Sequence, residues 1–244
     1  GVMTLLYLMY FSHNLRLRRI KISCKSLQLT CRNIGHMIKL GSSAFISEAS
    51  IACMMFLGNY VFIRYLGEEG VAAFSIACYF FPIIFMIYNA IAQSGQPIIS
   101  YNFGIRNQDR ISRTVRLMIK TALTCGICFF IFTALFSRQI VALFIDESYA
   151  AYHIAVKGLP YFAFGFIFFA LNMVGIGYYQ SIEKAHRATI VTLLRGIVFM
   201  SVGFFLLPLL WGIKGIWLAV PSAELLTLLF IGGIYAKEHW RTRR

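Results

Sequence analysis

The stretch SSAFISEASIACMMFLGNYVFIRY (Ser42–Tyr65), the turn LGEEG (Leu66–Gly70) and the run VAAFSIACYFFPIIFMIYNAIAQSGQPII (Val71–Ile99) decide how the chain is read. Each apolar run exceeds the roughly 20 residues a helix needs to cross the hydrocarbon core of a bilayer. The turn between them holds two glycines and two acids, too polar to remain in lipid. Two such runs on either side of so short a turn predict a transmembrane helical hairpin.

Working outward, the same pattern recurs at Val115–Phe136, at Ala150–Tyr179 with an interruption near Pro160, at Ala188–Leu210 and at Ile213–Ala236. The expected fold is an all-α polytopic membrane protein, a bundle of six transmembrane helices over residues 41–236. Asn102–Arg113 reads as a polar loop. Ser137–Tyr149 is too short and polar to cross, and its Gln139–Asp146 portion reads as an amphipathic helix on the membrane surface. Residues 1–12 read as the tail of a preceding membrane helix, 13–40 as a basic linker and 237–244 as a basic tail. The chain enters its first apolar stretch with no basic residues ahead of it, so no cleavable leader is expected.

Composition agrees. The chain is 59% hydrophobic, and only 13% of it is charged, about half of what a water-soluble domain carries. The net charge of +14 would suit a nucleic-acid binder, but the placement of the cations argues otherwise. Nineteen of the 23 Lys and Arg fall in the alternate loops after residue 12 and after the second, fourth and sixth spans, counting Arg116, Lys120 and Arg195 as helix-end residues. The other side holds only Arg64, Arg138, Lys157 and Lys214. That asymmetry puts the basic loops and the C-terminus in the cytoplasm, with anionic lipid rather than nucleic acid as their neighbour.

Polar residues inside the spans are the functional candidates, because an acid at the bilayer centre costs about 2.5–3.5 kcal/mol on insertion scales. Glu48 lies one to two turns into the first span, and Asn59 returns to the same face eleven residues later. Asn89, Gln93 and Gln96 stand at i, i+4 and i+7 on one face of the second span, where they must meet other helices or a water-filled path. Asn172 is the only deep amide of the fourth span, with Gln180 towards its cytoplasmic end. Glu224 follows Pro221 in the sixth, where a freed carbonyl and a carboxylate together suit a proton or cation; a hydrogen-bonded structural acid reads equally well. Arg195 lies less than two turns into the fifth span and is expected to snorkel to the cytoplasm.

No enzyme signature appears. There is no Walker-type glycine loop, and the five histidines sit near predicted loops without metal-ligand spacing. Cys125 and Cys128 have C-x-x-C spacing, but lie mid-span and read as packing residues. No cofactor or metal is expected.

The stretch AQSGQPIISYNFG (Ala92–Gly104) resembles a signature of the multidrug and toxic compound extrusion (MATE) family, at Gly95, Gln96, Pro97, Tyr101, Asn102, Phe103 and Gly104. YQSIEKA (Tyr179–Ala185), GIKGIWLA (Gly212–Ala219) and the basic linker continue the resemblance, which covers essentially the whole chain. It implies the second lobe of a two-lobe, twelve-helix transporter, with most of the N-terminal lobe lying outside this chain. It further implies a bacterial cytoplasmic (inner) membrane protein that exports organic cations or drugs by alternating access, driven by Na⁺ or H⁺. Glu48 matches an acid of the family's seventh helix. Some members carry another in the tenth helix, whereas this chain has none between Tyr152 and Gln180, so the coupling ion stays open. A lipid-linked oligosaccharide flippase of related fold, or a non-transporting membrane fragment, are the alternatives.

Overall fold

The computed structural model describes residues 2–16 and 31–242, so most of the expected basic linker and the last two tail residues lie outside the described residues. Its elements are α1 (Val2–Arg16), α2 (Cys31–Gly104), α3 (Gln108–Leu135), α4 (Ser137–Ala142), α5 (Ala150–Ser181), α6 (Ala185–Leu193), a π-helical stretch (Leu194–Phe199) and α7 (Met200–Thr242). The chain divides into two compact units, Gly1–Ile38 and Lys39–Arg244. In the first, α1 presents Leu5, Leu6, Tyr7 and Leu8 outward. The second holds everything described below.

Four helical runs are long and apolar enough to cross a membrane, and two of them fold back on themselves. Gly67 (φ 66°, ψ −157°) and Gly212 (φ 57°, ψ −135°) interrupt α2 and α7 in a region of backbone space essentially closed to other residues. The consequence is visible in the packing. Phe62 and Phe74 would lie about 18 Å apart along a straight helix, yet their rings stack with centroids 4.6 Å apart. A Cβ added at Gly203 would stand 2.8 Å from the Ala219 carbonyl oxygen, sixteen residues along the chain. Each glycine therefore turns one run into a hairpin, and the six expected spans are recovered as six helical arms.

Contacts sort the arms into two ends. At one, Ser42 meets Thr189 and the Ser100 hydroxyl donates to the Ser181 carbonyl, 3.1 Å in each case. At the other, the Glu69 carboxylate accepts the Ala151 backbone N–H at 2.8 Å. That contact gives the first turn of α5 an acceptor and a negative charge at its positive end, where Tyr149 offers no side-chain cap.

Helix α5 runs through the middle and packs against α3, α4, α6 and α7. It is apolar nearly all round, as a helix surrounded by others must be. Phe62, Phe74, Phe162, Phe204 and Trp217 form one aromatic layer, and Phe81, Phe85, Tyr88 and Phe169 form another nearer the middle of the bundle.

Three expectations change. Pro160 does not interrupt the fourth span, and α5 is continuous through it, since a helix packed on all sides tolerates one missing backbone bond. The surface helix shrinks to the six residues of α4, whose Ser137, Ile140 and Val141 are buried. The Asn102–Arg113 loop contracts to three residues, because α2 runs on to Gly104 and the Asn107 side chain caps α3 by accepting the Arg110 N–H at 3.1 Å.

Candidate functional site

A cavity of about 350 Å³ opens between α2 and α5, lined from α2 by Ser47, Glu48, Phe85, Asn89, Ala92, Gln93 and Gln96. From the opposite side come Met173, Ile176, Gly177, Gln180 and Ala185. The hairpin at Gly67 explains why residues 48 and 89 meet: the outgoing arm carries Glu48 towards the turn, and the returning arm brings the amide stripe back beside it. Gln96 donates through Nε2 to Gln180 Oε1 at 2.8 Å, tying the returning arm to the end of α5. Asn89 is half-buried, while Glu48 and Gln93 are exposed.

Among the described residues the lining has one carboxylate, four amides and no Lys or Arg. Such a wall favours a cation and gives it neutral hydrogen-bonding groups, with the Phe85 ring beside them. Of the sequence candidates, Glu48, Asn89, Gln93 and Gln96 come together here. Gln180 joins them, although the sequence marked it only as a helix-end residue. Asn59 does not. It is exposed on the same helix face, about 16 Å further along the axis than Glu48.

Asn172 and Glu224 belong to a second, buried cluster completed by Arg195. The three are 0%, 1% and 2% exposed for Asn172, Glu224 and Arg195 respectively, so none snorkels. Arg195 Nη1 lies 3.4 Å from Glu224 Oε1. Asn172 Nδ2 donates to Glu224 Oε2 at 2.7 Å and to the Glu224 backbone carbonyl at 2.8 Å. The Arg195 guanidinium also stands 4.8 Å from the Phe169 ring centroid, and its Nη1 is 3.9 Å from Met173 Sδ. Among the described residues, Asn172 Oδ1 and Arg195 Nε have no hydrogen-bond partner.

The expectation that Arg195 reaches the cytoplasm is thus overturned. It lies within the π-helical stretch, second after Leu194, and its charge is met inside the bundle by Glu224 and an aromatic face. Both oxygens of Glu224 are engaged, one by Arg195 and one by Asn172. Met173 belongs to both sites: it lines the cavity and touches Arg195. The ion pair therefore stands directly behind the cavity wall. The sequence did hold a signal for it, namely two opposite charges inside apolar spans that each need a partner.

The motif residues around Gln96 have structural positions. Gly95 is buried against the Met118 side chain, and the nearly buried Asn102 donates to the Ile98 carbonyl at 2.7 Å. Pro97, Tyr101 and Gly104 are exposed. Among the described residues, no group of three or more His, Cys, Asp and Glu is arranged to hold a metal ion. Cys125 and Cys128 are free thiols on α3, half-buried and exposed.

Comparison with known proteins places this arrangement. The family model MatE matches residues 44–205. The multidrug export protein MepA of Staphylococcus aureus (strain bovine RF122 / ET3-1) is 22% identical over 233 residues, which cover 92% of this chain and 49% of that protein. MepA of Staphylococcus saprophyticus is 23% identical over 235 residues, covering 93% and 49%. The chain thus spans about half the length of the curated relatives it matches. Among solved structures, the outward-facing conformation of a multidrug resistance MATE family transporter superposes with a TM-score of 0.81 at 18% identity, over 95% of this chain and 52% of that one. A MOP superfamily transporter from Pyrococcus furiosus superposes with a TM-score of 0.79 at 19% identity, over 91% and 51%.

Proposed function

This chain belongs to the MatE family, and from that premise we propose that it serves as one lobe of a transporter that expels organic cations or drugs in exchange for inward Na⁺ or H⁺. It is a multi-pass integral membrane protein, with four apolar helical runs of membrane length. The proposed setting is a bacterial cytoplasmic membrane, with the basic loops inside and a second lobe closing the cavity from the other side.

The observation that carries the reading is the Glu48 cavity: one carboxylate among neutral amides, with no Lys or Arg among the described lining residues. In the ionised form Glu48 attracts a cationic substrate. A proton or Na⁺ on the same carboxylate removes that attraction, so ion and substrate exclude one another at one point. Asn89, Gln93 and Gln96 hydrogen-bond the substrate without fixing its charge or shape, and Phe85 offers a cation-friendly ring. Rocking of the two lobes would expose the cavity alternately to either side of the membrane. The same lining disfavours a lipid-linked pyrophosphate cargo, which needs cationic partners.

The test is export of a fluorescent organic cation from proteoliposomes containing the full two-lobe protein, under an imposed Na⁺ or pH gradient. Glu48→Gln should abolish gradient-driven efflux while leaving folding intact. Efflux at the unsubstituted rate would remove Glu48 from the mechanism, and dependence on one gradient alone identifies the coupling ion.

A further inference from the structure

At the end of the bundle marked by Gly67 and Gly212 lies a second cavity, of about 470 Å³, unconnected with the Glu48 site. Its polar rim is basic. His153, Lys157 and Tyr161 stand at i, i+4 and i+8 along one stripe of α5, and Lys214 follows the turn at Gly212. No acid lines it. Both lysines are exposed, and neither has an ion-pair partner among the described residues.

The floor is apolar. Trp217, 2% exposed, presses its indole against the backbone of α5 at Gly158, where a Cβ would run into the ring. Leu66 and Ile213 continue that floor. Two unpaired ammonium groups above an aromatic and aliphatic floor, at the level where a span leaves the membrane, form a site polar at one side and greasy at the other. Tyr161, exposed on the same stripe, is of the type that settles among lipid headgroups at such a level. Lysine stems can lie along the apolar wall while their charges reach outward.

We propose that this cavity binds the phosphate end of an anionic phospholipid, with Lys157 and Lys214 on the phosphate and Leu66, Ile213 and the Tyr161 ring against the first acyl carbons. Charge complementarity selects the phosphate, and the apolar floor selects a lipid over a free anion. The neighbouring cavity at the same end supports that choice. It is lined by Glu68, Glu69 and Asp146, a field that repels a small anion unless apolar contact also holds it. The site does not depend on what the Glu48 cavity carries.

Native mass spectrometry of the full protein, delipidated and titrated with phosphatidylglycerol or phosphatidylcholine, tests the proposal. Replacing both lysines, Lys157→Gln with Lys214→Gln, should weaken phosphatidylglycerol binding about thirty-fold, roughly fivefold for each contact, and leave phosphatidylcholine binding unchanged. Both residues are exposed, so the variant should keep the gel-filtration profile of the parent. Equal phosphatidylglycerol affinity in parent and variant overturns the site. Displacement of the lipid by millimolar inorganic phosphate, or binding of phosphate alone with the same lysine dependence, overturns a lipid as its occupant.

Discussion

Substituting Arg195→Met removes the only cation, among the described residues, paired with Glu224, a carboxylate that is 1% exposed in the middle of the bundle. Glu224 would keep its hydrogen bond from Asn172 at 2.7 Å but lose the guanidinium at 3.4 Å. Breaking a buried ion pair from one side costs about 3–5 kcal/mol, because the partner's desolvation goes uncompensated. Loss of the guanidinium over the Phe169 ring adds up to about 2 kcal/mol. For a lobe of this size such a change lowers the melting temperature on the order of 10 °C. Glu224→Gln alone strands Arg195 and should cost a similar amount. The double variant Arg195→Met with Glu224→Gln removes both charges and leaves Asn172 an amide oxygen to bond. It should cost less than the sum of the two single variants by roughly 2–3 kcal/mol, which is the coupling between the sites. Thermal unfolding of the four proteins in one detergent measures this. A single variant as stable as the parent, or a double variant whose loss is the sum of the two singles, would refute the pairing.

Gln93→Ala should weaken binding of a cationic substrate by several-fold, whereas Asn59→Ala should leave it unchanged, because only the first side chain lines the cavity; equilibrium titration separates them. Gln96→Leu removes the bond to Gln180 and should destabilise the lobe by about 1 kcal/mol, read from thermal unfolding. Gly67→Ala should cost about 1–3 kcal/mol through backbone strain alone, since a Cβ there would meet nothing within 4 Å; a loss much below that would mean the turn relaxes. The Ser148 backbone N–H holds the Asp146 carboxyl below the usual aspartate range. Its stabilising contribution is complete above the ordinary aspartate pKa and fades only as the pH falls through the lowered native one. Stability curves of the parent and Asp146→Ala should therefore differ at neutral pH and converge at the acid end.

Much of this architecture was legible because a bilayer permits few solutions. Runs such as Ser42–Tyr65 and Val71–Ile99 can only be helices in lipid, and the glycine pair around Glu68 and Glu69 can only be a turn. The amide stripe Asn89, Gln93 and Gln96 was legible for the same reason: periodicity puts the three on one face, and lipid forbids that face. Asn59 shows where periodicity stops. It shares the angular position of Glu48, but the cavity ends before the helix brings it round again.

By itself the sequence determined the helical arms, the turns between them and which faces must avoid lipid, because these follow from hydrocarbon thickness and helix period acting on nearby residues. It left open which polar group meets which. Arg195 lies near enough to a helix end to snorkel, and nothing local says otherwise. Only the tertiary structure, by stacking three arms from positions 172, 195 and 224, brings the guanidinium to a carboxylate and an aromatic ring. It places that neutral pair behind the wall that Met173 shares with the cavity. Partner choice inside a membrane is settled by long-range packing. The need for a partner is already written in the chain.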